Sequence, residues 1–309
     1  MNSDGTLGFV SFGEPMVEFS QISRVDKTFA KGFGGDTLNC VVAGSRMGAR
    51  TKYISAVGND SFGTEIIEFL KMENIDVSSV IIEKNGRTGV YFISQSDHDH
   101  HFDYYRDVSS IKSFRSSSIK PNDISEAKFF HTSGITLALH ERIKEAAWEA
   151  VDIAKNSGTK FVFDANIRPL LWGAQDYVAD IQAFVSTADI FLISEEDSRY
   201  LLGDVDMEVC VEWAFDLGAK SVVFKRGARG ACYFDSKEQI SEDAIVVSAK
   251  DTTGAGDCFA GALMASLSMG EDISMGMKIA STAAGLACRG YGGTNSIPYH
   301  FEIRSRLHR

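Results

Sequence analysis

Four short, nearly continuous apolar runs in the second half of the chain constrain its fold more than any other feature. They read KFFHTSGI, KFVFDANI, DIFLISE and SVVFKRG, and each ends in polar residues or glycine. Helix-like stretches lie between them, around 141–155, 176–187 and 208–217. Apolar strands alternating with amphipathic helices predict a mainly parallel sheet covered on both faces. Ligands of such sheets bind beyond the carboxyl ends of the strands. Here those ends carry Ser133-Gly134, then Asp164, Asn166 and Arg168, then Ser194-Glu195, and finally Lys225-Arg226-Gly227.

The first half has a different grammar. A helix is expected over 36–47, stopped by Gly48, then a strand over 52–57 and a second helix over 61–72. Residues 14–35 are mixed and turn-rich, and β-rich runs follow at 80–82, 89–94 and 101–105, joined by the turn-like connectors NGRT and SDHDH. These segments, near 14–35 and 80–106, predict a small antiparallel sheet serving as a lid. Four prolines, no repeat and no low-complexity stretch make one compact domain over 1–309 the default reading.

Composition narrows the partners. The chain has 309 residues, 31 Lys and Arg against 42 Asp and Glu, and a formal net charge of −11. This balance argues against coating nucleic acid or an anionic membrane, both of which require clustered cations. Five scattered cysteines without a C-x-x-C pair, and no apolar run of membrane-spanning length or signal-peptide pattern, predict a cytoplasmic protein that folds without disulfides. If the ligand is an anion, a local cationic pocket must oppose the overall field.

The segment with the most chemical content is Asp251-Thr252-Thr253-Gly254-Ala255-Gly256-Asp257, followed by the small-residue helix CFAGALMASLSM. Small residues let backbone N–H groups approach a ligand, and the first turn of the helix adds unpaired N–H groups at its positive end. The pattern predicts an anion hole with Asp257 beside it, placed to take a proton from an attacking hydroxyl. The alternative is a tight strand-to-helix turn in which Asp257 serves only the helix dipole.

DTTGAGD resembles the C-terminal signature of ribokinase-like (PfkB-type) carbohydrate kinases. Gly34-Gly35-Asp36-Thr37-Leu38-Asn39 resembles their N-terminal glycine-pair motif, at the separation that family uses. The resemblance implies a doubly wound α/β kinase domain with a β-lid that transfers the γ-phosphoryl of ATP to a hydroxymethyl group, with Mg²⁺ as cofactor and a monovalent cation as a further candidate. It makes Asp257 the general base and the backbone of Gly254, Ala255 and Gly256 the hole for the transferring phosphoryl. No G-x-x-x-x-G-K-[ST] loop is present, so the lysine-cradled P-loop mechanism is excluded.

The variant GGDTLN, with GEPMVEFS, FDYYRD and FDANIRPLLW, resembles 2-keto-3-deoxygluconate kinases in particular. That substrate is a sugar acid, and Arg106 and Arg168 stand where the resemblance puts the sugar; a guanidinium matches a carboxylate bidentately. Gly34, Gly35, Asp36 and Asn39 fall at the sugar end, and Tyr91 and Tyr105 would cover the sugar from the lid. The bland readings are packing for the tyrosines, an Arg106–Asp107 surface pair, and loop hydrogen bonds for Asp164 and Asn166. Other substrates implied by the resemblance are neutral sugars such as fructose or ribose; a different class is a non-catalytic sugar or nucleotide sensor.

On the nucleotide side the resemblance points to Lys225, Gly227, Ala228 and Gly230 of the KRGARG loop, to Ser194, and to Ala284 in the small-residue stretch 283–287, where close helix packing is the competing reading. The family's N-x-x-E motif for hydrated Mg²⁺ is replaced by Ser194-Glu195-Glu196-Asp197, leaving Asp197 to act on the metal through water. His98, His100 and His101 read as a solvated turn, since they lack a rigid scaffold. Cys258 reads as a packing residue. A homodimer through the lid is the expected assembly, with no nucleic-acid or membrane partner.

Overall fold

The computed structural model describes residues 6–23, 25, 27–95, 100–173 and 177–307. In chain order its strands are β1 (Leu7–Phe12), β2 (Met16–Ser23), β3 (Thr28–Gly34), β4 (Thr51–Gly58), β5 (Asp76–Glu83), β6 (Gly89–Gln95), β7 (His100–Tyr105), β8 (Ala127–Ser133), β9 (Lys160–Asp164), β10 (Ile190–Ser194), β11 (Ser221–Lys225), β12 (Ala231–Asp235) and β13 (Gln239–Glu242). Nine form one sheet in the order β13-β12-β11-β10-β9-β8-β1-β4-β5; the other four form a small sheet, β3-β2-β6-β7. In the large sheet every pairing from β11 to β5 is parallel, and β12 and β13 close one edge antiparallel.

Burial explains why the central runs are apolar throughout. Every residue of β1 and β4 is buried, as a strand covered on both faces requires. One face packs under the helices Glu141–Ser157, Tyr177–Val185 and Met207–Leu217, around Phe130, Phe161, Phe163, Phe184 and Phe191. Each of these rings, fully removed from water, contributes roughly 2 to 3 kcal/mol. The other face packs under Asp36–Arg46, Ala255–Ser268 and Ile273–Ala287, whose small residues permit close approach; a Cβ on Gly261 would lie 2.9 Å from that of Ala43. Among the described residues no helix is long and apolar enough to cross a membrane.

Two expectations about the small sheet need correction. Residues 80–82 belong to β5, which pairs parallel with β4 at the edge of the large sheet. The small sheet is also mixed rather than antiparallel. Its two hairpin pairs are antiparallel, but β2 pairs parallel with β6, because the chain leaves β2 through β3, two helices, β4 and β5 before returning. The connector 96–99 lies outside the described residues.

Candidate active site

The strand order reverses at β1, whose neighbours are β8 and β4, and this is where an open α/β sheet forms its crevice. The chain folds tightly there. Gly35 has φ 119°, and a Cβ on it would collide with the carbonyl of Glu14, so the position demands glycine. That turn delivers Asp36 into the first turn of the helix Asp36–Arg46, where Ser133 Oγ and Asn166 Nδ2 (3.3 Å) donate to its carboxylate. One helical turn later Asn39 donates its amide to Asp257, at 2.9 Å, and Asn166 approaches the other Asp257 oxygen at 3.3 Å. Asn166 reaches both carboxylates from a left-handed backbone, φ 34°.

Asp257 belongs to the helix Ala255–Ser268, which begins after Gly254 in left-handed conformation, φ 74°, with no side-chain cap. The Cys258 N–H is the donor that closes the first turn on Gly254, at 2.8 Å, so the Gly256 and Asp257 N–H groups point out of the helix end. The Ala255 N–H turns back to Thr252 O at 3.2 Å, so the hole's amide donors include Asp257 itself rather than Ala255. Asp251 fixes the loop by accepting from the N–H groups of Thr253 and Gly292, each at 2.9 Å.

Loss of hydration, then the Asp36 charge, pushes the Asp257 carboxyl up to about 7, against the Asn39 amide and Lys225, which pull it down. A carboxyl titrating near neutrality is suited to general-base work. Asp257, Asp36, Asp164, Ser133, Asn166 and His131 line one small, partly open cleft. His131, within 2.8 Å of Ser11 Oγ, is held neutral: burial pushes its pKa down to about 3. Burial pushes the Cys258 thiol far up, which leaves it packing rather than reacting.

On the nucleotide side, Lys225 at the end of β11 donates to both oxygens of Asp164, at 2.7 and 2.9 Å. Gly227 (φ 55°) and Gly230 (φ 83°) bound a single tight turn containing exposed Ala228, and a Cβ on Gly230 would strike the Glu242 carbonyl. Ala284 is half-buried, and neighbouring Gly285 admits Ile245 so closely that a Cβ would come within 2.4 Å of it, the packing reading of this stretch. Ser194 caps the helix Glu195–Leu202 in a reciprocal box with Asp197. The water-bridged metal role expected for Asp197 does not fit: it is 3% exposed, and its oxygens accept from Ile167 N–H (2.7 Å), Ser194 N–H (2.9 Å) and Ser194 Oγ (2.6 Å).

The sugar side differs from expectation at several residues. Arg106 is buried in an ion pair with Glu14, not with Asp107, and its guanidinium lies over the Tyr104 ring, 5.6 Å from the centroid. Arg168 is exposed, with one N–H on its neighbour Ile167's carbonyl at 2.8 Å. Tyr91 is buried, donates its hydroxyl to Glu18 and sits against Gly34, where a Cβ would collide with that hydroxyl. Tyr105 turns to the opposite face, edge-on to Phe92 at 5.8 Å; alternation along β7 gives the site-facing place to Tyr104, stacked on Tyr91 at 5.6 Å. Asn39 gives its amide N–H to Asp257 while its Oδ1 has no hydrogen-bond partner, and Gly34 makes room for the Tyr91 hydroxyl.

Residues 9–299 match the description pfkB family carbohydrate kinase. The chain belongs to this family. It is 31% identical to a 2-dehydro-3-deoxygluconokinase of Thermoproteus tenax over 99% of this chain and 95% of that protein. It is 30% identical to fructokinase-2 of Solanum habrochaites over 82% of this chain and 80% of that protein. Among solved structures, an E. coli protein described as a ribokinase II, in complex with ATP and Mg²⁺, superposes with a TM-score of 0.89 at 25% identity, covering 97% of this chain and 99% of that one. The large, mostly parallel sheet with its small companion sheet is therefore the ribokinase-like fold.

Within this pfkB kinase the sequence reading missed Glu14, Glu18 and Tyr104. Glu18 is buried and accepts from Tyr91, from Ser20 (2.7 Å) and from Gly293 N–H (3.0 Å), joining the small sheet to the turn beside Asp251. Its signal was a charged residue set between Val17 and Phe19 in the mostly apolar run MVEF. For the histidines of SDHDHH, His101 is exposed and pairs with Asp103 at 3.1 Å; His98 and the His100 side chain lie outside the described residues. Among the described residues no group of three or more acidic, histidine or cysteine side chains is arranged to hold a metal.

Proposed function

We propose that this carbohydrate kinase transfers the γ-phosphoryl of ATP to a sugar acid, 2-keto-3-deoxygluconate, at its 6-hydroxyl. The observation that carries the choice of an acid is Arg168, an exposed guanidinium at the end of the strand region that also supplies Asp164 and Asn166. Arg106 is already neutralised by Glu14, so Arg168 supplies the net positive charge that a carboxylate needs. The Thermoproteus tenax relative supports the same reading.

The reaction follows from the arrangement. Asp257 accepts the proton of the attacking hydroxyl while Asn39 and Asn166 hold its oxygens, and the Gly256 and Asp257 N–H groups face the transferring phosphoryl. The phosphates of bound ATP would carry Mg²⁺, which would supply charge to neutralise them. A cation held by those phosphates would keep most of its water. Glu196, exposed in the first turn after β10, is the carboxylate of its segment left to reach that water shell. The small sheet acts as the lid, and its exposed Ile22, Phe29 and Tyr105 are the surface for a homodimer.

A coupled ADP-release assay over sugar acids and neutral sugars tests the reading. The acid should be preferred. Faster turnover of fructose, which the fructokinase relative favours, would remove the Arg168 argument, and binding without any turnover would establish a sensor.

A further inference from the structure

We propose that a second cleft, on the other face of the large sheet from the helix that carries Asp257, is an effector site for a zwitterionic amino acid with an apolar side chain. The cleft has a volume of about 320 Å³ and lies between the helix Glu195–Leu202, the connector 203–206, the start of the helix Met207–Leu217 and the turn after β11. That volume is at the lower end of the range for small-molecule sites, about 300 to 1,000 Å³. Side chains alternate along β11, so Phe224 joins the core layer under Met207–Leu217 and lines the cleft, while Lys225 points the other way, to Asp164. None of the residues assigned to nucleotide, sugar or metal lines this cleft.

The lining specifies the ligand. Ser198 is 3% exposed and its hydroxyl has no hydrogen-bond partner, the nearby Cys210 thiol being a poor one. The Arg226 Nε is also buried without a partner, although one Nη reaches Ser241 Oγ at 3.1 Å. Buried donors are normally satisfied, so two on the residues of one cleft call for an acceptor. A carboxylate suits both, and Arg199 adds a second guanidinium. A further set of lining residues has the reversed charge. Asp204, Asp206 and Glu208 are exposed and have no ion pair among the described residues, and Asp206 caps its helix without using its carboxylate. Three free carboxylates repel a bare anion and attract an ammonium. Val205, Met207 and Phe224 supply the apolar part of the lining. An α-amino acid with an apolar side chain matches all three sets at once. The cleft is also joined to the nucleotide side. Glu195 follows the helix cap Ser194, Arg226 lies between Lys225 and Gly227, and Arg229 lies between Ala228 and Gly230. A ligand that holds Arg226 therefore bears on the turn expected to hold nucleotide, which couples the two sites.

Isothermal calorimetry on the full chain, with L-leucine and L-phenylalanine as probes and with or without saturating ADP, tests the assignment. At least one of the two should bind saturably at millimolar or lower concentration. The matching carboxylate without the ammonium (isocaproate, hydrocinnamate) and the matching amine without the carboxylate (isoamylamine, phenethylamine) should each bind at least about tenfold more weakly. Arg226→Gln, and separately the double variant Asp206→Asn/Glu208→Gln, should each lose about tenfold in affinity for the amino acid. The double variant alters only exposed, unpaired side chains, so it tests the charge with the fold intact. Saturating ADP should shift the affinity for the amino acid about fivefold or more, and the amino acid should shift that for ADP by the same factor. No binding of either amino acid, equal binding of the amine or the carboxylate alone, or unchanged affinity in the double variant would overturn the site, whose buried donors would then serve water only. Binding that ADP leaves unaltered would overturn the effector role. No sugar enters these measurements, so their outcome is independent of the substrate proposed above.

Discussion

Replacing Asp257 by asparagine should abolish turnover and, at alkaline pH, stabilise the protein. Burial and the Asp36 charge carry the carboxyl from its ordinary 3.8 to about 7. Once ionised, it therefore costs the folded state up to about 4 kcal/mol relative to the unfolded chain. The sign follows from proton counts. Below about pH 3.8 both states are protonated and no cost exists; between there and about pH 7 only the unfolded state ionises, so stability falls as pH rises; above it the whole cost is present. Asparagine has no such dependence. It can keep the Asn39 bond through its oxygen but turns an amide toward Asn166, a loss of about 1 kcal/mol at every pH. Asp257→Asn should then gain about 3 kcal/mol over the native protein near pH 8.5 and almost nothing near pH 4.5. Urea titrations at the two pH values read the difference, and kcat should drop by at least about 10³-fold. Parallel stability profiles for the two proteins would show that Asp257 does not carry a raised pKa, and the general-base argument would fall with it.

Two further substitutions probe the sugar side. Tyr104→Ala should raise the sugar KM about tenfold, because the ring supports Arg106 and faces the site, whereas Tyr105→Ala should change it less than about twofold; the reverse order in steady-state kinetics would restore the opposite assignment along β7. Arg168→Leu should leave the melting temperature nearly unchanged while raising KM for acids more than for neutral sugars. Arg106→Leu should instead destabilise the fold by about 3 kcal/mol, because it strands the buried Glu14 carboxylate, and a stable Arg106→Leu protein would refute the pairing.

Local signals made much of this architecture legible. The runs at β8 to β11 are apolar because both faces are covered, and no packing detail is needed to read that. The glycines at 35 and 254 announce backbone conformations that other residues rarely adopt. What local pattern cannot report is which distant residue a side chain meets. Arg106 stands beside Asp107 in the sequence, but the carboxylate it pairs with is 92 positions away, in Glu14. Tyr104 and Tyr105 are adjacent in an unbroken polar-aromatic run, and only the register of Tyr91 with Tyr104 decides which one faces the crevice. Val80 and its neighbours have the same strand composition whether they join the lid or the large sheet; pairing with β4 settles it.

The acids of the site form a graded series that singles out one of them. Glu14 has Arg106, and Asp164 has both of its oxygens on Lys225. Glu18 accepts from a phenol, a hydroxyl and a backbone N–H, and Asp251 from two backbone N–H groups. Asp36 has a serine hydroxyl and a shared amide. Asp257 has only neutral amide donors and stands closest to Asp36 in electrostatic effect, so its negative charge is the least compensated. A carboxylate left in that state has its proton affinity raised. Asp257 thus lacks an ion pair of its own, and the nearby cation, Lys225, which draws its proton affinity down, is held by Asp164. A chain with a net charge of −11 thus places its least compensated carboxylate in the first turn of a helix whose Gly256 and Asp257 N–H groups point outward.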